Sequence, residues 1–287
     1  MNSQKWAEIE IEAESDAVDA VGHILSSSGC NGFRVKDDAP VPIVLGYLPM
    51  DDRLEDRLYE LKASLLALPD HGITTAGSTL VVRNIHEADW ANAWKEFYKP
   101  IPLGRTILVT PPWEDISAYS DRVPVIVDPG MAFGTGSHPT TQLCLVALED
   151  YLRPGEHVAD IGTGSGILAI AAKKLGANYV VATDIDPLAV SVASENCSVN
   201  SVEITVQHTE PDEAYDLVVA NILADVIIDY SELFANIVKP NGVLIASGII
   251  DTRENDVRFA VEGFGFSPLE TRRQGEWVAL IFRRNSN

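Results

Sequence analysis

The sequence predicts an α/β protein in two parts: a mostly parallel, doubly wound sheet in the C-terminal two-thirds and a small α+β layer before it. Three observations carry this. From residue 137 onward, strand-like apolar runs alternate with helix-like segments, the pattern of a parallel sheet with helices on both faces. Before residue 87 the order is strand–helix–strand, twice over, as in a ferredoxin-like layer of two helices on one sheet. The chain has 287 residues, 46% of them hydrophobic, about two domains on a prior of ~150 residues each.

The elements follow in order. Residues 6–14, WAEIEIEAE, alternate as a half-buried strand does. Residues 16–28 carry Val18, Val21, Ile24 and Leu25 at helical spacing, and Gly29 is placed to end that helix. Residues 32–36 and 41–48 are strand candidates. Residues 51–68 form a second helix with Leu54, Leu58, Leu61, Leu65 and Leu68 on one side, closed by Pro69. Residues 79–85 are a fourth strand. No catalytic constellation falls within this layer, so its expected task is recognition or spacing.

Residues 87–104 are expected to be a linker helix. Trp90, Trp94 and Phe97 fall at i, i+4 and i+7, one helical face, which favours a packed connecting helix over a ligand site. The second domain is expected to run over 105–287, with strands at 105–113, 123–128, 157–161, 179–185, 203–207, 216–222, 242–249, 269–273 and 277–283. Its helices are expected at 167–175, ended by Gly176; at 187–200, opened by Pro187 in its first turn; at 224–239, ended by Pro240-Asn241-Gly242; and at 254–263. The last two strands are joined by Gln274-Gly275-Glu276, a hairpin that puts an antiparallel strand at or near a sheet edge.

Composition narrows the function. There are 21 basic and 42 acidic residues, a formal charge of −21. The acidity is spread: 9 basic and 17 acidic residues lie in 1–100, the remainder beyond. Such a surface argues against nucleic-acid binding and suits a basic protein partner. Cys30, Cys144 and Cys197 show no CxxC pairing, and the six histidines show no HExxH spacing, so neither a disulfide framework nor a metal site is expected. No apolar run reaches the ~20 residues a membrane helix needs, and the N-terminus is acidic without an apolar signal core. A cytoplasmic monomer without a metal is the expectation.

The chemistry concentrates at a few positions. Asp160-Ile-Gly162-Thr-Gly164-Ser-Gly166 lies between a strand and a helix. Glycines there let the backbone turn tightly and a ligand approach closely. The spacing departs from the dinucleotide G-x-G-x-x-G, because residue 167 is Ile, and no lysine is present for a phosphate loop. Asp160 would repel a pyrophosphate and suits a cationic ligand bearing an ammonium group. Asp184 ends the next strand, where a carboxylate can accept from both hydroxyls of a ribose; Asp186 is the better placed cap for the helix opened by Pro187. Asn221 ends a buried apolar strand, the end at which open α/β sheets bind ligands, although capping the following helix is the alternative. Gly130, Gly134 and Gly136 make the segment before residue 139 a lid candidate. Phe133 in it can cover an apolar methionine chain. Ser137 or His138 can cap a helix that starts at Pro139, leaving Thr140 and Thr141 in its first turn. For His138, capping and a direct role are both open.

The acidic residue, the three alternate glycines and the ribose carboxylate together resemble the S-adenosylmethionine-dependent methyltransferases of the Rossmann-like class. That resemblance spans roughly residues 105–287 and implies a seven-stranded sheet closed by an antiparallel hairpin. DPGMAFGTGSHPTT at 128–141, ANILA at 220–224, GEWVALIF at 275–282 and DWANAWKEFYKP at 89–100 are similar, more specifically, to the ribosomal protein L11 methyltransferase family. The family implies methyl transfer to lysine side chains, and to the N-terminal amine, of ribosomal protein L11. It implies that residues 1–86 form the substrate-recognition domain. It implies S-adenosylmethionine contacts from Thr141, Gly162, Asp184 and Asn221, to which the loop chemistry adds Asp160, Gly164 and Phe133. Asn221, with His138, is the candidate for aiming the target nitrogen. Amide and adenine methylases carry Asn/Asp-Pro-Pro-aromatic where this chain has Asn221-Ile222-Leu223-Ala224, which argues against both. The alternatives are a lysine methyltransferase for another protein, such as an electron-transfer flavoprotein, a small-molecule methyltransferase, or a non-enzymatic module that binds S-adenosylmethionine.

Overall fold

The structure is a computed structural model describing residues 5–13, 17–30, 32–36, 41–49, 53–68, 80–86, 99–128, 136–211 and 213–286. The chain divides into two compact units, Met1–Tyr98 and Lys99–Asn287.

The first unit runs β1 (Lys5–Glu12), α1 (Val18–Ser27), β2 (Phe33–Lys36), β3 (Ile43–Pro49), α2 (Leu54–Ala67) and β4 (Leu80–His86). The sheet order is β2-β3-β1-β4, and all pairs are antiparallel. This is the ferredoxin-like layer that the sequence predicts. The alternation in β1 sorts as expected: Ala7, Ile9 and Ile11 are buried with Val21, Leu25, Leu61 and Leu65. Gly29 ends α1 with φ of 89°. Its N–H reaches Ser26 O, and Cys30 N–H reaches Leu25 O, the paired bonds of a left-handed C-terminal cap.

Part of the expected linker, residues 87–98 with Trp90, Trp94 and Phe97, lies outside the described residues. Its last part is corrected: Ile101–Leu103 is a strand, β5, antiparallel to β6 (Ile107–Thr110). Pro100 and Pro102 lack the N–H a helix interior needs. β6 pairs in parallel with β7 (Val123–Ile126).

The second unit continues with α3 (Pro139–Tyr151), β8 (His157–Ile161), α4 (Ile167–Lys174), β9 (Tyr179–Thr183), α5 (Pro187–Val199), β10 (Thr205–Gln207) and β11 (Tyr215–Asn221). Then come α6 (Ala224–Asp229), α7 (Ser231–Ile237), β12 (Val238–Ile250), α8 (Glu254–Gly263), β13 (Phe266–Gln274) and β14 (Trp277–Arg284). The seven-stranded sheet has the order β10-β9-β8-β11-β12-β14-β13. β14 alone runs against its neighbours, pairing antiparallel with both β12 and β13.

Side chains alternate between two cores. Val158, Leu217, Val219, Val243 and Ile245 face α3 and α4 on one side. Ala159, Val218, Ala220, Leu244 and Ala246 face α6, α7 and α8 on the other. Full burial of each Val, Leu or Ile is worth about 1.5–3 kcal/mol, so these two layers hold the helices against the sheet.

Two expected elements differ. The helix predicted over 224–239 is two short helices meeting at Tyr230, and the chain is extended from Val238. The residue before a proline avoids helical geometry, so Pro240 ends the helix early. β13 begins at Phe266, before Pro268 rather than after it. β13 is the edge strand, where a missing N–H costs no ladder bond.

Candidate active site

The site is built at the C-terminal ends of β8, β9 and β11, three adjacent strands, where open α/β sheets bind ligands. The chain leaves β8 through Gly162, Gly164 and Gly166, with φ of 72°, 54° and 82°. An L-residue in this region costs roughly 1–2 kcal/mol, so the three alternate glycines are what the turn requires. Gly166 also lets α4 approach α5: a Cβ there would lie 3.2 Å from Ala193 Cα. The turn is pinned from below. Gly162 and Thr163 N–H both donate to Thr183 O at 2.9 Å, and the buried Asn196 side chain donates to Ser165 O at 2.8 Å.

Asp184 closes the turn from β9. One carboxylate oxygen accepts from Gly164 N–H at 2.9 Å and the other from Asp186 N–H at 3.0 Å, so its orientation is set before any ligand arrives. Asp186 caps α5, accepting from Leu188 N–H at 2.9 Å with Pro187 at the first helical position. Asp160 lies beneath the turn, fully buried. One of its oxygens accepts from Thr163 Oγ1 at 2.6 Å and from Ala169 N–H at 3.1 Å. The other, Oδ1, has no hydrogen-bond partner among the described residues. Burial pushes its carboxyl up to about 7 against the lowering effect of those two donors, and the negative charge of Asp184 adds to the rise.

The third strand brings Asn221. Its Nδ2 donates to Thr141 Oγ1 at 3.3 Å, which joins β11 to the first turn of α3. Thr141 is fully buried and Asn221 half-buried. His138 is the N-cap of α3: Nδ1 accepts from Thr140 N–H at 3.3 Å and lies 2.8 Å from Thr140 Oγ1. Its ring meets Trp277 edge-on at 4.8 Å. The capping geometry is thus formed and engages Nδ1, whereas a direct role would fall to Nε2. Phe133, Gly130 and Gly134 lie outside the described residues. At the same sheet edge Ile185, Leu188 and Leu223 are 86%, 59% and 73% exposed, apolar surface left open around the three strand ends.

Residues 5–285 match the ribosomal protein L11 methyltransferase (PrmA) family. The chain belongs to this family. A ribosomal protein L11 methyltransferase of Bacillus cytotoxicus is 38% identical over 96% of this chain and 98% of its own length. One of Bacillus cereus strain B4264 is 37% identical over 97% and 99%. Among solved structures, a ribosomal protein L11 methylase from Lactobacillus delbrueckii subsp. bulgaricus aligns with a TM-score of 0.63 and 37% identity, covering 66% of this chain and all of that one. The enzyme is therefore a methyltransferase on a Rossmann-like sheet.

This member of the L11 methyltransferase family brings together, among the sequence-predicted positions, Asp160, Gly162, Gly164 and Asp184 in one turn, and Asn221 with Thr141 one strand away. Four residues at the same edge are not picked out by sequence reasoning. His208 follows β10, with Nδ1 3.2 Å from Asp184 O; its place just past a strand's C-terminal end is the sequence signal for it. Trp277 touches His138 only because β14 is reversed. Ile222 and Gly248 meet through tertiary contact, which no local spacing signals.

Proposed function

We propose that this enzyme transfers methyl groups from S-adenosylmethionine to lysine side-chain amines, and to the N-terminal amine, of ribosomal protein L11, acting as a cytoplasmic monomer. The observation that carries the reading is the convergence of the glycine turn with Asp184, and of Asn221, on adjacent strand ends. The residues suit the co-substrate. Asp184 is pre-set to accept from a ribose diol. Asp184, joined by Asp160 as it ionises, gives the turn a negative field that favours an ammonium and a sulfonium. Gly162 and Gly164 clear the path for close approach, and Phe133 is proposed as the apolar cover. Residues 1–86 are proposed to select the protein substrate, and the acidity of residues 1–100 suits a basic partner.

S-adenosylmethionine supplies an activated methyl group: the amine lone pair forms the new N–C bond as the C–S bond breaks, and sulfur leaves with that electron pair as a neutral thioether. The protein's share is positioning and removal of water. The lysine must arrive neutral. With an ordinary pKa of about 10.4, its deprotonation at pH 7 costs about 4.6 kcal/mol, and a dry channel lowers that cost by disfavouring the ammonium. Asn221, held by Thr141, directs its side-chain oxygen at the amine hydrogens and so aims the lone pair; water takes the released proton.

The deciding experiment is the intact mass of unmodified ribosomal protein L11 after incubation with this enzyme and S-adenosylmethionine. Methyl-sized steps, lost in Asn221→Ala and Asp184→Ala, support the proposal. Co-substrate binding without any steps moves the reading to another protein substrate. No co-substrate binding overturns the site.

A further inference from the structure

Ile222, the residue after Asn221, meets a glycine of the turn after β8 and a glycine within β12. On one side is Gly162, the first glycine of the turn after β8: a Cβ there would lie 2.3 Å from Ile222 Cγ2. On the other is Gly248: a Cβ there would lie 2.2 Å from Ile222 O, 2.8 Å from its carbonyl carbon and 3.0 Å from its nitrogen. The Gly162 contact is with a side-chain methyl. The Gly248 contact is with the peptide itself, so it fixes backbone. Ile222 N–H also donates to Ser247 O at 3.1 Å, and Ser247 Oγ is anchored on Val278 O at 3.0 Å.

Gly248 stands in a bulge. Between Ala246 and Ile249, β12 advances three residues while β14 advances two, from Leu280 to Val278. The φ of Gly248 is 85°. A bulge of this kind disrupts the ladder locally, bends its strand and redirects the side chains near it. It is not needed to pair β12 with β14, which match on either side. Its effect is to bring the β12 backbone against the peptide that leaves β11.

We propose that Ile222, seated on the Gly248 bulge and against Gly162, is a positioning residue that sets Asn221 relative to the co-substrate turn. Among the described residues Asn221 has one side-chain tether, to Thr141, and its backbone direction is set by the peptide after it. Ile222 touches the turn that receives the methyl donor and is bonded to the residue that receives the amine. It thereby fixes the separation of the two reacting partners, which in-line displacement demands to within a fraction of an ångström. This rests on Asn221 being the residue that aims the amine.

The test uses the full chain with four forms: parent, Gly248→Ala, Asn221→Ala and the double variant. The readouts are a thermal melt, the dissociation constant for S-adenosylmethionine, and kcat and KM on ribosomal protein L11. Gly248→Ala is expected to keep the dissociation constant within about threefold and to lower kcat by roughly tenfold or more, as a misaimed acceptor does. In the Asn221→Ala background the same change is expected to lower kcat by less than about twofold, because both act through one group. Parental kcat in Gly248→Ala, an equal fall in both backgrounds, or a matching loss of co-substrate binding overturns the inference. If Gly248→Ala does not fold, Ile222→Ala removes the methyl packed on Gly162 and is held to the same criteria. If Asn221→Ala keeps the parental kcat, the Asn221 assignment fails and takes this inference with it; if Asn221→Ala loses kcat while Gly248→Ala keeps it, this inference fails alone.

Discussion

Asn221 and Thr141, eighty positions apart in the chain, are joined by a hydrogen bond of 3.3 Å from Nδ2 to Oγ1. Thr141 is fully buried, so its hydroxyl acts on Asn221 rather than on solvent. Thr141→Val keeps the shape and removes that acceptor. A lost neutral hydrogen bond is worth about 1 kcal/mol, so kcat on ribosomal protein L11 is expected to fall by roughly fivefold. Asn221→Ala removes the group proposed to aim the amine and is expected to cost on the order of a hundredfold. Steady-state kinetics on both variants, with co-substrate affinity measured alongside, checks the order. A larger loss in Thr141→Val than in Asn221→Ala would contradict the chain of support.

Asp184 contacts the turn through both oxygens. Asp184→Ala leaves two backbone N–H groups without that partner and removes the charge proposed for the ribose. Hydrogen bonds to charged groups are worth about 1.5–3 kcal/mol, so S-adenosylmethionine is expected to bind at least tenfold more weakly. Titration calorimetry reads this directly. Unchanged affinity would remove Asp184 from the co-substrate site.

Asp160 links the site to pH. Its carboxyl is held at about 7 by burial, against an ordinary value of 3.8. Between those values the folded free enzyme binds a proton that the unfolded chain has released, so stability falls as pH rises through that window. Asp160→Asn is expected to flatten that part of the melting profile. A cationic co-substrate favours the ionised carboxylate, so its binding releases a proton below pH 7 and weakens by up to about tenfold per unit as the pH drops. Calorimetry in buffers of different ionisation enthalpy counts that proton. Proton uptake instead of release would refute the linkage.

Gly155 and Gly162 both have left-handed backbone, with φ of 92° and 72°. A Cβ on Gly155 would meet nothing within 4 Å among the described residues, whereas one on Gly162 would strike Ile222. Alanine at either bears about 1–2 kcal/mol of backbone strain. The melting temperature is expected to drop modestly in Gly155→Ala and clearly further in Gly162→Ala. Equal drops would mean that the Ile222 contact relaxes freely.

Much of the fold is legible from sequence because it is local. The ferredoxin-like order, the Gly29 and Gly176 caps, the turn at 160–166 and the Asp186 cap each depend on residues a few positions apart. The break at Tyr230 and the strand start before Pro268 are not legible. The first follows from no local spacing, and the second is set by which strand lies at the sheet edge. Within the site, the glycine turn announces itself by spacing, while the contact of Ile222 with Gly162 and Gly248 exists only once β8, β11 and β12 lie side by side. The His138–Trp277 pair needs the reversal of β14 in the same way.

The sheet order β10-β9-β8-β11-β12-β14-β13 divides labour along its width. From β8 the chain builds outward in one direction through β9 and β10, then returns to build in the other through β11 and β12. With the roles proposed for Asp184 and Asn221, the donor is handled by the first half and the acceptor by the second, meeting at a single seam between β8 and β11. A change on the β11 side then alters how the acceptor amine is held, while the choice of protein stays with residues 1–86 as proposed and the donor stays with the β8–β10 side. Ile222 lies on that seam, in contact with Gly162 on one side and with β12 on the other, so a change there reaches both halves at once.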